Sequence, residues 1–220
     1  MILIFQEMGS KLVLVMLSLL VLMGCAGGRE PYFLIEGSLI NGRNAEMAKL
    51  YKFMPEYDEL ILIDSANVEN GNFQFMGHVD NTAEAYVSLD GCNDAFCFIL
   101  SNDLLNMKIG CNGYIVKGTP DNELLSSLIM KRQISVNERA RIQNEYVKLQ
   151  KDSTLTKAIE DSLLNLYRMQ SVGLSKTVFT AIESNYKKSP EFADIAFRMF
   201  SSAMSENMSD SIVNILKSRY

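Results

Sequence analysis

The side-chain pattern of residues 60–79 constrains the fold most strongly, because it predicts two β-strands joined by a tight turn. The first strand is apolar throughout residues 60–63, whereas residues 72–79 alternate apolar and polar side chains, which is the period of a half-buried strand. Between the two strands, Asn70 and Gly71 tolerate the positive φ that a primed hairpin turn requires. The segment therefore predicts a hairpin of fixed register.

Short strands are also predicted on both sides of this segment. They lie at residues 32–40, 47–53, 86–89, 96–100, 104–109 and 114–117. Asn, Gly and Asp residues separate them at the spacing that is typical of antiparallel sandwiches and barrels. We therefore expect residues 32–118 to fold as an antiparallel β-sandwich.

Residues 119–220 predict a helical region that follows the sandwich. Thr119 is expected to cap a first helix that begins at Pro120, and Gly173 is expected to end or bend a later one. Amphipathic segments lie at residues 136–151, 155–170, 176–188, 190–199 and 209–218. We expect a small bundle packed on itself or on the sandwich, and the alternative is a surface that docks a partner.

The first 25 residues indicate a secretory leader. Lys11 is followed by an apolar run at residues 12–24, which is too short for a comfortable transmembrane helix. The run ends in the motif Leu22-Met23-Gly24-Cys25. This motif resembles the lipobox of bacterial lipoproteins, although Met23 stands where a small or branched residue is usual. A transmembrane anchor and a plain cleaved signal are the alternatives.

The lipobox resemblance implies that residues 1–24 are removed, that Cys25 carries a lipid, and that residues 25–31 tether the lipid to the first strand. Ala26 follows the cysteine where an acidic residue would favour the inner membrane, so the resemblance implies an outer-membrane lipoprotein. It leaves open whether the protein faces the periplasm or the cell surface. The start codon is also open, because Met8 introduces a more typical leader than Met1 does.

The two predicted regions differ in charge. Residues 25–118 contain 6 Lys and Arg against 13 Asp and Glu, a net charge of -7, whereas residues 119–220 contain 14 against 12, a net charge of +2. An acidic surface repels polyanions. We therefore expect neither nucleic acid nor an anionic lipid surface as a ligand of the sandwich.

Four motifs in the β region resemble a known family. They are Phe33-x-Ile35-x-Gly37, Asp64-Ser65, Gly71-x-Phe73-x-Phe75-x-Gly77 and Val116-Lys117-Gly118-Thr119. Together they resemble domain of unknown function 4369, a lipoprotein β-domain that precedes thioredoxin-like domains in envelope thiol-disulfide oxidoreductases. The resemblance covers about residues 32–130. Glycines within strands also predict bulges or the close approach of another backbone.

In the longer relatives, the resemblance implies a Trp-Cys-x-x-Cys motif beyond the β-domain. This sequence contains no Trp and no Cys-x-x-Cys. The resemblance therefore implies fold and location rather than redox chemistry. We assign Asp64 a structural role, and His78, as the only histidine, gives no metal site and no catalytic pair. The favoured function is a non-catalytic binding or scaffold module without a cofactor, which holds an envelope protein or a small ligand. The alternative is an accessory redox role for Cys92, Cys97 or Cys111.

These three cysteines also raise the question of a disulfide, since the envelope is oxidising. If residues 96–100 and 104–109 form a hairpin, Cys92 lies near Cys111. A disulfide between them is our hypothesis, with free thiols as the alternative. Cys97 has a phenylalanine on each side and is expected to be a buried small hydrophobe.

Overall fold

Two four-stranded β-sheets build the N-terminal half of the protein in a computed structural model, which describes residues 32–204 and 206–217. The strands are β1 (Phe33–Leu39), β2 (Met47–Met54), β3 (Glu59–Asn67), β4 (Asn72–Gly77), β5 (Ala83–Leu89), β6 (Ala95–Leu100), β7 (Leu104–Gly110) and β8 (Gly113–Lys117). Sheet A has the order β4-β1-β7-β8 and sheet B the order β3-β2-β5-β6. All pairs are antiparallel except β1 with β7. The predicted sandwich is confirmed.

The helical region contains α1 (Pro120–Lys151), α2 (Lys157–Asn185), α3 (Pro190–Phe200) and α4 (Glu206–Lys217), with a short 3-10 turn at Ser201–Ala203. Thr119 caps α1 as expected, since its hydroxyl accepts a hydrogen bond from the amide of Asn122 at 3.3 Å. Gly173 does not end a helix, because α2 passes through it. Glycine costs a helix about 1 kcal/mol relative to alanine, and the buried Leu174 and Val178 in the next turn outweigh that cost.

The apolar core has two parts. One lies between the inner faces of the sheets, and the other lies between the outer face of sheet B and the helices. Strand β6 contributes to both: Phe96 and Phe98 point into the sandwich, while Cys97 and Ile99 pack with the helical cluster. A strand buried on both faces is apolar throughout rather than alternating.

The Asn70-Gly71 turn forms as predicted, but it does not join the strands of one hairpin ladder. Both residues have positive φ, 51° and 76°, and Glu69 and Asn72 exchange backbone hydrogen bonds of 2.8 and 2.9 Å. Beyond this pair, β3 continues in sheet B on β2, while β4 continues in sheet A on β1. The turn sets only the local chain direction, and burial of the apolar face of β4 selects β1 as its partner.

Strand β3 lies at the edge of sheet B, and its apolar residues are not buried. The apolar residues 60–63 are 39–51% exposed, because β3 is an edge strand and β5 pairs with β2 only as far as Lys52. A register shift after Leu50 leaves Ile63 without a partner on β2. The β2–β3 hairpin therefore extends beyond the sheet that would cover it.

The two motif glycines accommodate aromatic rings rather than a bulge. Gly37 pairs with Phe73 across β1 and β4, and Phe33 pairs with Gly77 in the same ladder. A Cβ atom on Gly37 would lie 2.0 Å from Phe73 Cζ, and one on Gly77 would lie 2.7 Å from Phe33 Cζ. Each ring therefore covers the glycine opposite, which explains why both strands have Phe four residues before Gly.

Helix α1 closes one open side of the sandwich. The carboxamide of Asn122 accepts from the amide of Ile99 at 2.9 Å and donates to its carbonyl at 2.8 Å, so it occupies the free edge of β6. Ser126 does the same for the free edge of β8, through the amide and carbonyl of Val116. These bonds pair the edge groups of both sheets, which would otherwise be buried without partners.

Candidate functional site

A polar cleft of about 840 Å³ lies over the outer face of sheet A, beside the connection between β3 and β4. Strand alternation directs Glu36, Gln74 and Asn106 outward, and the register places Gln74 and Asn106 on either side of Glu36. Its lining side chains are Glu36, Ser38, Ala66, Asn67, Glu69, Asn70, Asn72, Phe73, Gln74 and Asn106, together with Gly37. The cleft is thus rich in carboxamides and contains two carboxylates.

The side chains of the cleft are hydrogen-bonding groups. A carboxamide both donates and accepts, and a carboxylate only accepts. None of the described residues that line the cleft is a lysine, an arginine, a histidine or a cysteine. Phe73 is buried beneath the strands and leaves no open aromatic face. The cleft can bind an uncharged, hydroxyl-rich molecule, but it would repel an anion.

A second group of polar residues lies between sheet B and α3, where Glu84 and Cys97 are buried and Arg198 is partly exposed. Glu84 is the buried acid; its carboxylate accepts a hydrogen bond from Tyr86 and forms an ion pair with Arg198, whose Nε lies 3.0 Å from Oε2. Arg198 also lies over the ring of Phe53, with Cζ 5.4 Å from the centroid. The Cys97 thiol is 3.7 Å from the same carboxylate. This cluster holds α3 on the sheet.

The environment of Cys97 makes it a poor nucleophile. Burial, and next the negative charge of Glu84, raise the pKa of the Cys97 thiol far above its ordinary value. Burial likewise raises the pKa of Tyr86. The thiolate is the reactive form of cysteine. Cys97 therefore stays protonated at neutral pH, and the prediction of a buried small hydrophobe is confirmed.

The hypothesised Cys92–Cys111 disulfide does not form, and all three cysteines among the described residues are free thiols. Cys92 accepts a hydrogen bond from Arg43, and Cys111 donates to the carbonyl of Asn41 at 3.3 Å. The reason is topological: β6 pairs with β5 in sheet B, while β7 pairs with β1 and β8 in sheet A. The presumed hairpin between β6 and β7 is therefore a crossover between sheets.

Asp64 and His78, the remaining candidates in the described part of the chain, make local polar contacts. Asp64 accepts a hydrogen bond from the amide of Ser65 at 2.7 Å, as its structural role requires. His78 Nε2 lies 3.4 Å from the carboxylate of Asp80. Within the described part of the chain, no three potential ligands cluster as a metal site would require. The lipobox residues Leu22, Met23, Gly24 and Cys25 lie outside the described residues.

The sequence does not reveal the cleft, because the lining residues are scattered between positions 36 and 106. Each amide occupies an outward position on a strand or a turn position, where polar residues are ordinary. Only the neighbouring registers of β1, β4 and β7 bring them together.

The fold defines a mixed module, a sandwich followed by helices that pack on one of its sheets. Residues 33–125 match the family model described as Domain of unknown function (DUF4369), and this match confirms the resemblance drawn from the motifs. No curated protein matches the chain. A solved structure of a proposed cell adhesion protein from Bacteroides ovatus ATCC 8483 aligns at 7% identity and a TM-score of 0.25, over 40% of this chain and 43% of that one. No helix in the described residues is long and apolar enough to cross a bilayer.

Proposed function

We propose that the protein is a non-catalytic binding module that is anchored to the outer membrane by a lipid on Cys25. The lipobox-like motif at residues 22–25 supports the anchor. The amide-lined cleft supports the binding role, and it is the observation on which this role chiefly depends. The family match is compatible with this role, since it names a domain of unknown function rather than a catalytic family.

The lining of the cleft suggests a neutral, hydroxyl-rich ligand, and we propose an uncharged glycan. Planar carboxamides and carboxylates can hold two adjacent hydroxyl groups at once, since they offer paired acceptors or a donor beside an acceptor. The carboxylates of Glu36 and Glu69 disfavour phosphate and sulfate groups. A glycan without acidic groups meets both conditions.

An array of neutral and sulfated oligosaccharides tests the binding role. We expect retention on neutral glycans alone, and we expect loss of that retention in the double variant Gln74→Ala with Asn106→Ala. Asn144→Ala is the control, since Asn144 is an exposed amide on α1, outside the cleft. Binding to no glycan, or binding that the double variant leaves unchanged, contradicts the proposed ligand class.

The anchoring role has an independent test. Palmitate labelling and an intact mass should show acylation at Cys25, and Cys25→Ser should abolish both. Globomycin, which blocks lipoprotein signal processing, should cause the precursor to accumulate. Unlabelled protein, or processing that globomycin does not affect, contradicts the anchor but leaves the glycan test intact.

The alternative is an accessory redox role for Cys92, Cys97 or Cys111, and burial disfavours this role at Cys97, whose thiol stays protonated. An insulin-reduction assay distinguishes the two functions. We expect no activity above background, and activity that Cys97→Ser abolishes would favour the redox role.

A further inference from the structure

The polypeptide enters the sandwich at the start of β1, which marks one end of the two sheets. The start of β1, the end of β4 and the start of β7 meet there, since Leu34 pairs with Met76 on one side and with Leu104 on the other. The β6–β7 loop lies at this end as well, because the Asp103 carbonyl accepts from the amide of Leu34 at 3.0 Å. We call it the tether end, because Tyr32 follows the expected tether, residues 25–31.

The outer face of sheet A carries a row of apolar side chains at the tether end. Met76 is 67% exposed and Leu104 is 60% exposed, with Leu34 between them, and Tyr32, which directly precedes β1 at the same end, is 50% exposed. We call these four residues the apolar row. An open sheet face is normally polar where water covers it. Four neighbouring apolar side chains at one end therefore mark a contact surface.

The next rows along the same face show that the apolar character is confined to the tether end. Two residues further along each strand, the outward positions hold Glu36, Gln74 and Asn106, and beyond them come Ser38, Asn72 and Lys108. The face thus changes from apolar to polar within one pleat. Such a boundary is expected where one end of a sandwich contacts a lipid surface and the rest stays in water.

We propose that the apolar row rests on the membrane that holds the Cys25 lipid, an inference that rests on the proposed anchoring. Cys25 and Tyr32 are seven residues apart, and a fully extended chain of that length spans only about 25 Å. The lipid therefore keeps the tether end near the bilayer. Tyrosine favours the boundary between acyl chains and head groups, since its ring is apolar and its hydroxyl is polar.

The charges at this end indicate which head groups the row contacts. Asp103 lies at the tether end, and the turn between β2 and β3, which carries Glu56 and Asp58, lies at the corresponding end of sheet B. These exposed carboxylates repel anionic head groups. The surface that fits the row is a zwitterionic phospholipid leaflet.

The absence of Trp from the sequence allows a clean test, because one substitution introduces a unique fluorophore. The lipidated protein carrying Tyr32→Trp is placed in phosphatidylcholine vesicles with brominated acyl chains. We expect a blue shift of its emission and strong quenching. Ile40→Trp is the matched control, since Ile40 follows the opposite end of β1 and is 39% exposed; its emission should be quenched much less. Equal quenching of the two reporters overturns the proposal.

A further variant distinguishes membrane contact by the apolar row from attachment by the lipid on Cys25. Met76→Ser with Leu104→Ser, added to the Tyr32→Trp reporter, should reduce the quenching while acylation of Cys25, checked by mass, is unchanged. Both side chains are exposed, so this variant should keep its fold, and circular dichroism verifies it. If the protein is acylated but the Tyr32→Trp reporter stays in water, the proposed membrane contact of the apolar row is overturned and the anchor is not. If acylation is missing, the proposed anchor itself is contradicted. A blue shift that grows with protein concentration in the absence of vesicles would assign the row to a second copy of the chain, and that too overturns the proposal.

Discussion

Asn122→Ala should strongly destabilise the protein, because this side chain pairs the free edge of β6 from helix α1. Asn122 is 1% exposed, and its carboxamide makes the two bonds to the amide and carbonyl of Ile99. Alanine would leave both backbone groups buried without partners, at about 1–3 kcal/mol each. The gain in helix propensity from Asn to Ala returns only about 0.5 kcal/mol. We expect a net loss of about 1.5–5.5 kcal/mol in the free energy of unfolding.

Urea unfolding followed by circular dichroism measures this loss as a shift of the midpoint at a constant slope. Asn144→Ala is the matched control: it is the same substitution on the same helix, at an exposed position. The helix-propensity gain is common to both variants, so their difference reports the edge contacts alone. If the two variants unfold at the same urea concentration, Asn122 does not stabilise the edge of β6 and the reasoning is refuted.

Three further predictions concern packing and titration. Leu62→Ser should change the free energy of unfolding by less than about 0.5 kcal/mol, because Leu62 is 51% exposed, whereas Leu50→Ala, in the core, should cost about 2–5 kcal/mol; equal losses would place β3 in the core. Gly37→Ala should cost about 1–3 kcal/mol by overpacking, and Gly173→Ala, where a Cβ meets nothing within 4 Å, should stabilise by about 1 kcal/mol; a neutral Gly37→Ala contradicts the ring contact. The raised pKa of Cys97 stabilises the fold below the thiol's unfolded pKa, and this contribution is lost as pH rises above it. Melting temperatures should therefore fall above about pH 9, and less steeply in Cys97→Ser; identical slopes would refute the assignment.

Local sequence patterns determined the class of fold. The strand periods, the turn at Asn70-Gly71 and the cap at Thr119 each depend on residues within a few positions of one another. They can therefore be predicted from the sequence without the tertiary structure. The motif that placed phenylalanine four residues before glycine was also visible. The packing role of this motif could not be predicted, because the ring of Phe73 covers Gly37, which belongs to a different strand.

Tertiary structure decided which strands pair, which apolar residues are buried and which polar residues meet. Residues 60–63 look like a core strand, yet they lie on an edge that no other element covers. The two strands around Asn102 look like a hairpin, yet they belong to different sheets, so the register from which the disulfide was inferred does not exist. The amide cleft likewise exists only because β1 lies between β4 and β7. Side-chain period is a local property of the chain, whereas the partner of a strand is selected by long-range burial, which no short window of sequence contains.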